Sequence, residues 1–227
     1  MDIHSHLLPG IDDGASTIEQ SAALINGLEE IGFKKFITTP HIMGEIWKNT
    51  NDGIHQKLSA TVSELKIPNI STRLKAAAEY MMDGEFTELF KTKKLLCLKD
   101  NYVLVEMSYL NPPIQLFEIL FELQLAGYQP VLAHPERYLF YHNPSLSEYK
   151  KLKNVGCLFQ LNMLSTTGYY GDRVAKMADL LLKNGLIDFV GSDVHHDRHL
   201  EFMHKKIVLK NFDYLKPIFQ NNSFFDF

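Results

Sequence analysis

Only two cysteines occur in the 227 residues, Cys97 and Cys157, and neither has a partner pattern around it. Neither a disulfide framework nor a cysteine-based zinc site is therefore expected. No apolar run approaches the ~18–20 residues that a bilayer-spanning helix needs. Neither sign of charge dominates: 23 Lys and Arg face 27 Asp and Glu, a net charge of −4. That balance leaves no electrostatic footprint for a nucleic-acid backbone or an anionic membrane. The opening MDIHSHLLPG lacks a basic segment followed by an apolar one, so no secretion signal is visible and the expected location is cytoplasmic. Low-complexity tracts, sequence repeats and Pro/Gly/Ser linkers are missing too. Hydrophobic residues at 45% and charged ones at 22% match ordinary globular usage. The expectation is one domain over residues 1–227, burying ~70–75% of its unfolded surface.

What is present is alternation. Ser16 and Glu19 form an S-x-x-E capping pattern, Leu24, Ile25, Leu28 and Ile31 recur at helical spacing, and Gly32 ends that helix. Further helices are predicted over 52–65, 85–90, 147–154, 172–184 and 200–209, with another opened by Pro112-Pro113 and closed at Gly127. Between them lie β-rich runs at 2–3, 36–39, 72–78, 102–105, 130–133, 157–161 and 188–191. Strands separated by helices argue for an α/β fold with a parallel sheet, open or closed into a barrel. The aromatic tail NNSFFDF suits a cover for a sheet edge or barrel bottom, or a contact with a neighbouring subunit.

The ionisable residues fall at one end of these strands. His4 and His6 follow the first, with Asp12-Asp13-Gly14 in the loop beyond, where Gly14 reads as a tight turn at positive φ. His41 follows the second strand and Glu79 the third. Glu106 ends the fourth, His134 the fifth and Asn162 the sixth, while Asp193 and His195 end the seventh. Parallel α/β folds build their sites at that edge, because the βα loops converge there. Each residue alone has an ordinary reading as a satisfied histidine or a solvated carboxylate. Nine His, Asp and Glu residues at the same edge are better explained by one shared metal site.

Imidazoles mixed with carboxylates, without thiolate, suit manganese, iron or zinc. Nine candidate ligands exceed the coordination sphere of one ion, so a two- or three-metal cluster is expected. Such clusters clamp the attacking and leaving oxygens of a displacement at phosphorus. No nucleophile elbow, P-loop or C-x5-R loop is present, which disfavours covalent catalysis through cysteine. His55, His142, His199 and His204 read as surface groups and His196 as ambiguous. Tyr169-Tyr170 reads as loop packing, with a mobile lip over the site as the alternative.

The stretches DIHSHLLPGIDDGA, TTPH, AAAEYMMD, VLVEMSY, AHPERY, LNMLS and GSDVHH together resemble the PHP (polymerase and histidinol phosphatase) superfamily, over residues 2 to about 196. Within it the chain looks like the CpsB/YwqE-type bacterial protein-tyrosine phosphatases. The resemblance implies a distorted (β/α)7 barrel with three divalent metals, typically manganese, at the C-terminal ends of the strands. It also implies a phosphotyrosine protein as substrate, the tyrosine-rich tail of a kinase that governs capsule or exopolysaccharide synthesis. Carried over, His4, His6, Glu79 and Asp193 would hold one metal. A bridging Glu79 with Glu106 and His134 would hold a second, and Asp13, His41 and His195 the third. Arg137 would grip the phosphate. Arg198 is the nearest match to a second family arginine, at a shorter spacing after D-x-H than is usual. The stretch MGEIWKNTND departs from the Gram-positive pattern, so substrate contacts there are not transferred.

Two other functions share much of this pattern. A small-molecule phosphatase of the histidinol-phosphate type would have the same metals and different loops. A metal-stabilised binding protein without catalysis would lack a ligand or the arginine. The acidic balance argues against a nuclease. An amidohydrolase would offer a bridging lysine where this chain has Glu79 and Glu106.

Overall fold

The chain enters as an extended segment, residues 2–6, that pairs on both sides. On one side Asp2 N donates to Lys35 O at 2.9 Å, Ile37 N to Asp2 O at 2.9 Å and Thr39 N to Ser5 O at 2.7 Å. On the other, His6 N donates to Val194 O at 3.0 Å and Asp193 N to His4 O at 2.7 Å. In the computed structural model, which describes residues 1–44, 46–92 and 94–227, this segment closes a ring of parallel strands.

The elements follow the expected alternation. After α1 (Ile18–Ile31) come β1 (Phe36–Thr38) and β2 (His41–Ile42), two halves of one stave broken at Pro40. Next are α2 (Asn51–Glu64) and a second split stave, β3 (Leu74–Ala76) with β4 (Glu79–Met81). Then follow α3 (Gly84–Thr92), β5 (Tyr102–Glu106), α4 (Leu116–Leu125), β6 (Gln129–Ala133), α5 (Ser147–Asn154), β7 (Leu158–Asn162), α6 (Asp172–Lys183) and β8 (Phe189–Gly191). β1 pairs with β3, and β2, β4, β5, β6, β7 and β8 run side by side, all parallel. Counting the entering segment, seven staves close on themselves, a distorted (β/α)7 barrel as the resemblance implied.

Period-two alternation builds the two sides of the wall. In β5, Val103 and Val105 pack outward against the helices while Leu104 points into the barrel. The lower barrel is filled by Ile3, Ile37, Ala77, Leu104, Val131, Ala133, Phe189 and the tail residue Phe225. Asn222 fixes that tail, its Nδ2 donating to Val190 O at 2.6 Å and its Oδ1 accepting from Val190 N at 3.2 Å. Of the tail's readings, the structure takes the barrel bottom.

Four local expectations change. α1 is capped by Thr17, whose hydroxyl accepts from Gln20 N, one residue after Ser16. Gly14 is not a positive-φ turn residue; a Cβ there would lie 2.4 Å from His6, so it is glycine for close approach. The helix expected over 200–209 is α7 (Asp197–Met203), which ends where Lys205–Lys206 begin an irregular stretch. A further helix, α8 (Leu215–Asn221), went unforeseen. No described helix is long and apolar enough to cross a membrane.

Candidate metal centre

Strand periodicity carries side chains from the barrel floor to its mouth. Along β7, Gln160 and Asn162 share the interior; along β8, Phe189 and Gly191 do, and Asp193 continues the row. Gly191 has no room for a side chain, since a Cβ would sit 2.6 Å from His4 Cβ and 2.7 Å from Gln160 Nε2. His134 and Asp193 both adopt left-handed backbone, φ 38° and 51°. Strain of about 1–3 kcal/mol at such positions persists only where the surroundings enforce it, and it concentrates at functional sites.

All nine candidate ligands meet at the mouth. His4 Nε2 lies 3.2 Å from Glu79 Oε2 and 3.2 Å from Asp193 Oδ1. His6 Nε2 is 3.5 Å from Glu79 Oε2 and 3.4 Å from Asp193 Oδ1. His41 Nδ1 approaches Glu106 Oε1 at 2.9 Å and Glu79 Oε2 at 3.3 Å, while its Nε2 is 3.3 Å from Asp13 Oδ1. His134 Nε2 meets Glu79 Oε1 at 3.1 Å, and His195 Nε2 lies 3.5 Å from Asp13 Oδ1. Three groups bring one ligand atom per residue within 4.8 Å of one another: His6, Asp13, His41 and His195; His4, His6, Glu79 and Asp193; and His41, Glu79 and Glu106. The middle group matches the first set inferred from sequence. The others differ in detail, His6 adding to the Asp13 group and His41 standing beside Glu79 and Glu106 in place of His134.

The donor set fits cations. His4 Nε2 and His6 Nε2 face each other at 3.4 Å, two imidazole nitrogens converging on one point. His41 Nδ1 and Glu106 Oε1 are buried 2.9 Å apart and yet neither makes a hydrogen bond. Buried polar atoms without partners are rare and ask for an ion or water.

Behind these groups stand residues the sequence reading did not assign. Gln160 Oε1 accepts from His4 Nδ1 at 2.7 Å, and Asp12 Oδ2 pairs with His6 Nδ1 at 2.8 Å, which leaves each Nε2 lone pair facing the cluster. Asn162 Nδ2 donates to Asp193 Oδ2 at 2.6 Å, and the Asp193 carbonyl sits 2.9 Å from His195 Nδ1. Such partners fix ring orientation and tautomer at metal sites. A period-two signal existed for Gln160, two positions before Asn162.

Burial opposes a charge on His4, but Glu79 and Asp193 overcome it and raise its pKa to about 10. Against the same opposition His6 rises through Asp12, and His41 through Glu79. Burial works equally against the Glu79 carboxylate, and His4 and His41 overcome it, holding it well below the usual range. Burial and Arg137 instead push His134 down to about 4. A cation entering at neutral pH therefore competes with protons on the raised histidines and none on Glu79. Divalent-metal binding should release one or more protons, and affinity should fall as pH drops below about 10. Calorimetry in buffers of different ionisation enthalpy reads this directly; heats independent of buffer would contradict it.

Arg137 hangs over the same mouth. Its guanidinium lies 4.1 Å from the Tyr170 ring centre and 4.6 Å from that of Tyr109, and Nη1 donates to Asp193 Oδ2 at 2.9 Å. The carboxylate partner is thus Asp193. Glu136 instead turns inward, accepting from Asn162 N and Ser165 Oγ, and burial pushes its carboxyl up to about 7. The cavity holds about 790 Å³ between Tyr109, Tyr169, Tyr170, Trp47 and the cluster. Arg198 is not brought in: it is exposed on α7, its guanidinium 6.0 Å from the Tyr169 ring and 5.9 Å from that of Phe202. His199 corrects its surface assignment. It is buried, its ring centre lies 3.9 Å from that of His196 at a tilt of 47°, and it accepts from His195 N through Nδ1 at 3.2 Å. His142 is half-buried against the Glu136 carbonyl, and His55 and His204 are exposed.

A family model described as capsular polysaccharide synthesis, CpsB/CapC, matches residues 1–222. The tyrosine-protein phosphatase YwqE of Bacillus subtilis is 30% identical over 204 residues, 89% of this chain and 80% of its own. The tyrosine-protein phosphatase CpsB of Streptococcus agalactiae is 27% identical over 202 residues, 86% of this chain and 83% of its own. Among solved structures, that of YwqE from Bacillus subtilis and CpsB from Streptococcus pneumoniae, metal-dependent tyrosine phosphatases, superposes with a TM-score of 0.80 at 28% identity. It covers 95% of this chain and 86% of that one. A phosphotriesterase homology protein from Escherichia coli, at 14% identity and TM-score 0.53, shares the fold.

Proposed function

The chain belongs to the capsular polysaccharide synthesis family CpsB/CapC, and on that premise we propose that it is a metal-dependent protein-tyrosine phosphatase. The observation that carries this reading is a juxtaposition. A nitrogen and oxygen ligand cluster shares one mouth with a guanidinium held between two tyrosine rings. Three cations, manganese before iron or zinc, are the finer part of the proposal. They would be held by His4, His6, Glu79 and Asp193, by Glu79, Glu106 and His134, and by Asp13, His41 and His195. When bound, such cations activate water and neutralise charge on a phosphoryl group.

The chain's own residues do the rest. Arg137 presents a planar fork to phosphate oxygens, the geometry bidentate recognition requires. Tyr109 and Tyr170 hold that fork in plane and wall the cavity for an aryl leaving group. Gln160 and Asp12 keep the His4 and His6 lone pairs turned inward. No thiolate competes for the nucleophile's part, since burial pushes Cys97 up to about 11 and Cys157 up to about 12. The favoured substrate is the phosphorylated tail of a tyrosine kinase controlling capsule or exopolysaccharide synthesis. Such kinases draw on ATP, so the same proposal puts the enzyme in the cytoplasm.

The test is phosphate release by the metal-loaded protein from a phosphotyrosine peptide and from histidinol phosphate. We expect peptide hydrolysis that a chelator abolishes. Preferential turnover of histidinol phosphate, or no release from either, would overturn the proposal.

A further inference from the structure

A second cavity, of about 580 Å³, opens beside the metal centre, and Trp47, Met81 and Asp83 line both. Its remaining walls are mixed: Ile42, Phe86, Leu89 and the ring of Tyr80 form an apolar side, and Asn49, Thr50 and Asn51 a polar one. The Tyr80 hydroxyl is already engaged, accepting from Leu96 N at 2.8 Å and donating at 3.3 Å to Oδ1 of Asn51, on the polar side of the cavity. At the junction Asp83 is fixed, because its Oδ1 accepts from Phe86 N at 2.9 Å in the first turn of α3. The outer rim mixes Lys48 and Lys94 with Asp52 and Glu85. Nothing in the chemistry proposed above uses this space.

From the shared wall we infer that the second cavity is a subsite for a large apolar or aromatic side chain flanking the phosphotyrosine. The inference rests on the phosphatase reading and names what distinguishes a polypeptide substrate from a small phosphate ester. Continuity decides the occupant. A chain held by its phosphate at the cluster must lead its neighbouring residues past Trp47 and Met81, the partition between the two spaces. Extended backbone returns a side chain to the same face roughly every 6–7 Å, so the residue two positions away can enter. The apolar side, formed by Ile42, Phe86, Leu89 and Met81, rewards a ring or a branched aliphatic group. The Asp83 carboxylate at the junction repels an acidic neighbour or a second phosphate.

Trp47 is the sole tryptophan and stands at the junction, so its fluorescence reports occupancy of either space. The experiment titrates the metal-loaded full chain with two peptides carrying a non-hydrolysable phosphonate analogue of phosphotyrosine, one flanked by phenylalanine and one by glycine. Filling an apolar pocket of this kind is worth about tenfold or more in affinity, and the phenylalanine peptide should bind tighter by that factor. Leu89→Arg, which crowds the second cavity, should bring the two affinities together. Equal binding of both peptides by the wild type would overturn the subsite, as would a preference that survives in folded Leu89→Arg. The wild-type comparison decides alone if that variant does not fold. Turnover of the matching phosphotyrosine peptides separates the failures. Hydrolysis of both without preference removes only the subsite, whereas hydrolysis of neither removes the phosphatase reading itself.

Discussion

Glu79→Gln should cost the protein metal at two positions at once, and with it nearly all activity. A carboxylate can give one oxygen to each of two cations, which an imidazole with one free lone pair cannot. The placement matches that use: Glu79 Oε2 lies 3.2 Å from His4 Nε2 and 3.3 Å from His41 Nδ1, while Oε1 lies 3.1 Å from His134 Nε2. The amide keeps the shape and loses the charge and one acceptor. Loss of a mere orienting partner at a metal site costs ~10–100-fold in affinity, and a bridging ligand should exceed that. His195→Ala should chiefly empty one position, since His195 lies at the edge of the cluster beside Asp13. Elemental analysis after gel filtration decides. Equal metal content in Glu79→Gln, His195→Ala and wild type would end the bridging assignment.

Arg137→Ala should separate phosphate recognition from metal binding. Removing a contact to developing transition-state charge typically costs ~10²–10³ in rate, and we expect that loss at unchanged metal content. The aspartate it leaves behind keeps a partner, because Asn162 Nδ2 still donates to Asp193 Oδ2 at 2.6 Å. Arg137→Lys should restore little. A compact ammonium cannot lie flat between Tyr109 and Tyr170, nor can it offer two parallel donors to phosphate. Near-normal turnover by Arg137→Ala would return the residue to a structural ion pair with Asp193.

The barrel was legible because each stave carries its own signal. β-rich runs end in a polar residue and are followed by an amphipathic helix, and no long-range information is needed to see that. The convergence of the candidate ligands was legible for the same reason, as strand ends in a parallel barrel share a mouth. What stayed hidden depends on three-dimensional neighbours. Ser16-x-x-Glu19 and Thr17-x-x-Gln20 overlap by one residue, and only the packing of α1 chooses Thr17. Gly14 looked like a turn glycine because its true constraint, the flank of His6, lies eight positions back. Asp12 and Gln160 gave weak signals because an orienting hydrogen bond has no spacing rule. His199 was read as surface since the ring it abuts comes from His196 on the preceding loop. Arg198 matches by residue type alone, and its exposed position on α7, 6.0 Å from the Tyr169 ring, is set by helix phase that the spacing after D-x-H does not reveal.

The closing segment of the barrel has a consequence in time. Residues 2–6 lie between β1 and Val194, so the last seam joins the first stave to the last, and Ser192 N reaches Asp2 Oδ1 across 190 positions. A nascent chain emerges at ~5–20 residues per second, so the first stave waits roughly 10–40 seconds for its second neighbour. Contacts of such high sequence separation slow folding, because loop-closure entropy is lost before the contact rewards it. His4 and His6 come from the first stave and Asp193 from the last, so their shared cluster exists only after the seam is made. Metal loading would then be coupled to ring closure as a whole, an ion held by His4, His6 and Asp193 acting as a clasp between the first stave and the last.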